Sequence, residues 1–144
     1  VANDLYPYYR PGDDVTCFAV GAVTGKRCVQ IAAALLATEK GEGLATTAGG
    51  GTYRVSIPSA AGANGGALKM IFGVAKYDAA INKLVGVARE GIVPITTSVA
   101  VTAGASVEVK ADGTIGPVTT GVAIGYACDD AGIGADCPVA LLIS

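Results

Sequence analysis

The sequence predicts an all-β fold, a small barrel or sandwich of short strands with an extended arm at its N-terminus. Three observations carry that expectation. Short apolar, β-branched segments recur along the chain with turn residues between them, glycine fills 21 of the 144 positions, and no long amphipathic helical pattern interrupts the series. Glycine in such excess between apolar strands marks tight turns. The length is that of one domain. The expected organisation is an arm over residues 1–11 and a single β-domain over 12–144, and no internal repeat stands out.

The arm carries Tyr6, Tyr8, Tyr9 and Arg10, and Pro7 and Pro11 exclude a regular helix there. Its tyrosines either tuck back onto their own domain or lie on a partner. The partner reading is favoured, because tyrosine combines a large apolar body with a polar tip. Beyond it, Val15–Val23 and Arg27–Ala32 read as strands, with Thr24-Gly25-Lys26 as a hairpin turn. Val29–Lys40 reads as strand running into a loop, the alternative being a short helix ending at Gly41. Gly41–Gly51 is a Gly/Thr/Ala loop.

Thr52–Pro58 sets Tyr53, Val55 and Ile57 against Thr52, Arg54 and Ser56, the alternation of a half-buried strand. Asn64-Gly65 signals a turn. Strands are then expected at Leu68–Tyr77, Leu84–Arg89 and Ile92–Thr96. Val107–Lys110 and Ile115–Val118 flank Ala111-Asp112-Gly113-Thr114, the strongest hairpin signal in the chain. Val122–Cys128 and Val139–Ile143 complete the series.

Charge and composition exclude several functions. Only 15% of residues are charged, against about 25% in an average soluble domain, which suits a surface packed against neighbours. Net charge is −2 and basic residues are scattered singly, so no nucleic-acid partner is expected. No apolar run is long enough for a membrane-spanning helix, so no membrane partner is expected either. Val1–Arg10 lacks a basic-then-apolar signal layout, and synthesis in the cytoplasm is the expectation. Histidine is absent, which removes the commonest general acid/base and metal ligand, and tryptophan is absent too.

Each constellation that resembles a chemical site has a plainer reading. Cys17 with Cys28, and Cys128 with Cys137, bracket turns and are either hairpin disulfides or four small buried hydrophobes. Their spacing lacks zinc knuckles. Asp129, Asp130 and Asp136 crowd one loop without the EF-hand spacing, so a solvated loop is expected rather than a calcium site. Lys69, in Ala67-Leu68-Lys69-Met70, opens a strand-like run instead of tipping a turn, unlike the lysine of a biotin or lipoyl carrier. Ala48-Gly49-Gly50-Gly51-Thr52 lacks the lysine of a phosphate-binding loop. Nothing sets the pairs Asp13/Asp14 and Glu39/Glu42 across a cleft. A non-enzymatic protein without metal or cofactor is expected.

The order of the motifs resembles one family. Gly73–Val109 (GVAKYDAAINKLVGVAREGIVPITTSVAVTAGASVEV), followed by KADGTIGPV, GVAIGYA and PVALLIS, is similar to the capsid decoration, or cement, proteins of tailed bacteriophages. Pro11–Val29 looks like that family's N-terminal half, so the likeness spans most of residues 11–144. It implies a compact β-barrel or β-tulip domain without enzymatic activity. Such a domain sits on the outside of the virion capsid, binding the major capsid protein and itself as a homotrimer at quasi-threefold positions. Tyr6, Tyr8, Tyr9 and Arg10 would then be contact residues. The long Gln30–Gly51 segment and the four cysteines depart from the family pattern. The other reading of the same residues is a tail or fibre component, or a generic β binding domain.

Overall fold

The computed structural model describes residues 14–33, 53–58 and 71–142. Regular structure among these is strand, apart from one short 3-10 turn, as the all-β expectation requires. Five strands close into a barrel in the order β1-β3-β2-β4-β5: β1 (Asp14–Ala19), β2 (Cys28–Ala33), β3 (Tyr53–Ser56), β4 (Ile71–Ala75) and β5 (Leu84–Ala88). Five more form a second sheet in the order β6-β10-β9-β7-β8. These are β6 (Ile92–Thr96), β7 (Ser106–Val109), β8 (Ile115–Pro117), β9 (Gly125–Ala127) and β10 (Asp136–Leu141).

Strands β3, β5 and β6 fall where the sequence pattern puts them. The expected hairpin is present as β7 and β8, paired from Val107↔Pro117 to Val109↔Ile115. Its turn is the 3-10 segment Ala111–Gly113, with Asp112 and Gly113 at φ 62° and 76°. Gly113 is needed there twice over. Its φ is left-handed, and a Cβ would stand 2.5 Å from the Cys28 carbonyl oxygen. The last strand starts earlier than expected, at Asp136, because Cys137 faces the core together with Val139.

The predicted β1–β2 hairpin does not form. β1 pairs with β3 in parallel and with β5 in antiparallel, while β2 pairs with β3 and β4. Thr24-Gly25-Lys26 belongs to a wider loop that hydrogen-bonds across the barrel to the loop between β4 and β5. The Val23 N–H donates to the Ala79 carbonyl and the Ala79 N–H returns the bond, at 2.8 and 2.9 Å. The Lys26 N–H donates to the Ala75 carbonyl. Partners distant in sequence thus satisfy the backbone groups that a tight hairpin would have paired locally.

A repeat hidden in the sequence organises the molecule. In residues 14–88, β1 and β5 pair from Asp14↔Ala88 to Phe18↔Leu84; in residues 92–141, β6 and β10 pair from Ile92↔Ala140 to Thr96↔Asp136. Cys28↔Val74 and Val29↔Gly73 correspond to Ser106↔Tyr126 and Val107↔Gly125. The Val23↔Ala79 bridge corresponds to Val101↔Ala131. Each of the four loops carries a left-handed residue at the same place, namely Lys26, Asn82, Gly104 and Gly134, with φ from 64° to 83°. Two copies of one five-stranded unit therefore build the body.

The copies differ in closure. β1 and β3 share three parallel pairs, Cys17↔Tyr53 to Ala19↔Val55, whereas the equivalent contact of β8 is a single parallel bridge, Thr97↔Ile115. Each copy has its own buried cluster. Val15, Cys17, Val29, Val55, Val85 and Val87 dominate the first; Ile95, Val107, Ile115, Ile124, Cys137 and Val139 dominate the second. Cys28, Ile71 and Val74 of the first copy join the second cluster, so apolar burial holds the two together.

Candidate interaction surface

The aspartates singled out in the sequence that fall among the described residues are used in holding the scaffold together, and the cysteines form no disulfide. Cys17, Cys28, Cys128 and Cys137 are free thiols in the structure. Because β3 lies between β1 and β2, Cys17 and Cys28 sit on strands that do not pair and in different core clusters. Burial pushes both thiols up to about 12, the Arg89 charge slightly opposing this at Cys17. Burial also raises Cys137, whose sulfur lies 3.6 Å from the Asp129 carbonyl oxygen. Thiols held protonated in this way are poor nucleophiles and metal ligands. Cys128 is exposed beside β10, its N–H donating to the Pro138 carbonyl.

The three aspartates of the last loop turn to different partners. Asp129 accepts the Asp130 N–H and Asp130 accepts the Ala103 N–H, each at 2.8 Å. Asp136 accepts the Lys26 ammonium at 2.7 Å and the Thr96 hydroxyl at 3.1 Å. The Lys26 bond and charge outweigh partial desolvation and hold the Asp136 carboxyl below its usual range. Asp14 opens β1 and pairs with Lys76 at 2.7 Å. Tyr6, Tyr8, Tyr9, Arg10, Asp13, Glu39, Glu42, Lys69 and the Ala48–Thr52 run lie outside the described residues.

One buried acid escaped the sequence reading. Glu108 is 1% exposed in β7. Its carboxylate accepts from the Lys110 ammonium, from the Thr119 hydroxyl at 2.9 Å and from the Gly121 N–H. Desolvation alone would raise its pKa, but these donors together bring it down to about 2. The group fastens the segment after β8 to the sheet. Val107 and Val109 on either side of Glu108 face the core, so alternation turns the carboxylate to the opposite face, and nothing in its own strand signals that the segment after β8 covers it there.

Two clefts open along the junction of the copies. One, of about 280 Å³, has Val74, Ala88, Val93 and Pro94 among its walls and the Asp14–Lys76 pair at its rim. The other, of about 590 Å³, is more polar, with Arg27, Lys110, Asp112 and Thr114 among its walls. In the first, Lys26 and Lys76 are already committed to carboxylates.

Among the described residues, the outer face of the second sheet carries a row of uncharged side chains, two of them large and exposed. Ser106, Tyr126, Ala140 and Ile92 lie side by side in register across β7, β9, β10 and β6. Pro94 and Pro138 oppose each other two residues along. Ile92 is 65% exposed, Tyr126 45% and Leu142, just after β10, 65%. In the first copy the matching row is Cys28, Val74, Ala88 and Asp14, with the first three at 0, 2 and 7%. β6 is apolar at almost every position, so its sequence does not say which face is outward.

Together these features define an all-β scaffold of two fused five-stranded units, with buried polar groups serving its rigidity. No family model matches the sequence, and no curated protein does. Among solved structures, the chain is similar to the N base of the head fibre gp8.5 of bacteriophage phi29. The TM-score is 0.60 and the identity 14%, over 89% of this chain and 92% of that one. The two share a fold.

Proposed function

We propose that the chain is a structural protein of a phage virion that decorates the outside of the head, binding the major capsid protein lattice and stabilising the shell. The observation that carries this reading is the likeness in fold, over nearly the full length of both chains, to the base of a phage head fibre. The motif order from Gly73 onward supports it independently. The physical character fits as well: two closed or nearly closed β-units are rigid, and a low charge density favours burial against neighbours. Residues 1–11 supply the tyrosines and the arginine that would widen the contact.

Gradient fractionation of the producing lysate tests the proposal. Co-migration with assembled heads, and rebinding of purified protein to heads stripped of it, is the expected result. Recovery only as a small free species would overturn it. Removing Val1–Arg10 and repeating the rebinding tests the arm, since unchanged binding would exclude it as a contact. A tail or fibre component is the second reading, favoured by the fibre-base character of the structural neighbour. Antibody labelling of intact particles separates the two: label spread evenly over the shell fits decoration, and label confined to the tail or to projecting fibres fits the alternative.

A further inference from the structure

We propose that the paired loops of the two copies are duplicate attachment points, each seating an exposed isoleucine, Ile81 in the first copy and Ile133 in the second, in an apolar recess of the head shell. The choice of partner rests on the proposed role in head decoration. The duplication itself is visible in the chain. Along β1 and β6 only Val15 and Val93 are identical at equivalent positions. The loops agree far better. Ala22-Val23-Thr24 recurs as Ala100-Val101-Thr102, and Asp78-Ala79-Ala80-Ile81 recurs as Asp130-Ala131-Gly132-Ile133, with a single difference. Surface loops ordinarily diverge faster than the strands they join, so loops that stay alike point to a task of their own.

The scaffold accounts for part of the likeness. Val23 and Val101 are buried and bridge to Ala79 and Ala131, and the Asp78 and Asp130 carboxylates accept the Gly25 and Ala103 N–H groups. It does not account for the isoleucines, which are 56% and 76% exposed. Each stands second in a four-residue turn, closed at 3.2 Å by Lys83 N–H to the Ala80 carbonyl or Ala135 N–H to the Gly132 carbonyl. Asn82 and Gly134, next in line, supply the left-handed φ. The second position of a turn accepts most residues, and the related turn from Thr102 to Ala105 has Ala103 there. Folding therefore does not ask for a large apolar side chain at either tip. The other matched exposed residues, Ala22, Thr24, Ala100 and Thr102, are uncharged, and the aspartates are taken by backbone N–H groups, so the recess that fits these tips is apolar. Lys26 of the first loop pair braces the second, its ammonium on Asp136 and its carbonyl on the Thr96 N–H. Two like tips on one braced body suit a partner that repeats the same recess at fixed spacing, as a shell of many identical subunits does. Two modest contacts joined in this way reinforce each other through effective concentration.

The test is rebinding of the full chain to heads stripped of it, comparing wild type with Ile81→Ser, Ile133→Ser and the double variant. Ile92→Ser, at an isoleucine 65% exposed outside these loops, is the control. Each single variant should bind about tenfold more weakly and the double variant about a hundredfold, with control binding and all thermal midpoints unchanged. A double variant that rebinds like wild type, or a loss confined to one single variant, overturns the duplicate attachment while leaving head decoration intact. Wild type that does not rebind sinks head decoration itself, and this partner with it. Should the double variant melt early, amide exchange of wild type on heads decides instead. Both turns should gain protection on binding, and exchange left unchanged at either one overturns the proposal.

Discussion

The two copies of the five-stranded unit keep the same register, yet they close differently and present different outer faces. In the first, β3 completes the barrel through three parallel pairs with β1. In the second, β8 ends on Pro117 and reaches β6 only through Thr97↔Ile115. The position of Gln30 in the first copy is Glu108 in the second, as their pairings with Ser56 and Gly116 show. That carboxylate ties down Thr119 and Gly121 just after the shortened strand. A charged clamp thus fastens the chain next to the place where ladder hydrogen bonds are fewest. Backbone register and close backbone contacts are what the fold holds constant. Outer-face residues and closure are where the copies are free to diverge.

The most severe way to break the equivalence is at its shared glycines. A Cβ on Gly73 would stand 2.5 Å from the Ala88 carbonyl oxygen and from Val87 Cγ1. A Cβ on Gly125 would collide with the matching Ala140 oxygen and with Val139 Cγ1. Alanine at an unstrained glycine normally stabilises by about 0.4–1 kcal/mol. Here the backbone oxygen cannot move without breaking the sheet, so Gly73→Ala and Gly125→Ala should each cost about 3 kcal/mol. Urea unfolding would measure it. A neutral or stabilising effect at either site would mean the two copies are not packed alike.

Those glycines also explain why the repeat is hard to read from sequence. Most residues that match between copies are small and common: Val23 and Val101, Gly73 and Gly125, Ala75 and Ala127, Ala79 and Ala131, Val87 and Val139. In a chain rich in Gly, Ala and Val, such matches carry little information. The strands from β5 to β8 were legible because each has its own apolar run and local turn. The β1–β2 pairing was not, because the neighbours of both strands come from segments much later in the chain. The open face around Tyr126 was equally hidden, since alternation marks a half-buried strand without telling which side a second unit covers. Glu108 was missed because its stabilising donors, Thr119 and Gly121, follow it only after a turn and a strand.

Glu108→Gln sharpens the comparison by giving the second copy the side chain of the first. The Lys110 ammonium, itself largely buried, would lose its counter-charge. A loss of about 2–3 kcal/mol is expected, with the segment after β8 loosened ahead of the barrel in hydrogen exchange. The pH dependence follows from the depressed pKa. Unfolded, the group titrates near the ordinary glutamate value; folded, at about 2. Its contribution is therefore fully present above about pH 4.5 and is lost as pH falls toward 2. Wild type should lose stability relative to Glu108→Gln across that window, as read by unfolding at about pH 6 and about pH 2.5. A difference that stays constant between those pH values would exclude the clamp.

The smallest expected effect is also the most stringent test of equivalence, because it asks two exposed loops to behave alike. Asp78 accepts the Gly25 N–H and Asp130 accepts the Ala103 N–H, both at 2.8 Å. Each bond ties the loop between the second pair of strands in its copy to the loop between the first. An exposed, charge-assisted bond of this kind contributes about 1 kcal/mol. Asp78→Ala and Asp130→Ala should each lose about that much, and asparagine, which keeps an oxygen acceptor, should lose less. The sites lie in separate loop pairs, so the double variant should show the sum to within about 0.5 kcal/mol. Asp130 also belongs to the acidic loop, where a cation would be the competing explanation. If the carboxylate serves the Ala103 N–H, the loss at Asp130 is the same with and without added calcium and matches that at Asp78. A calcium-dependent loss confined to Asp130 would instead make the second loop pair a site in its own right and end the equivalence at the loops.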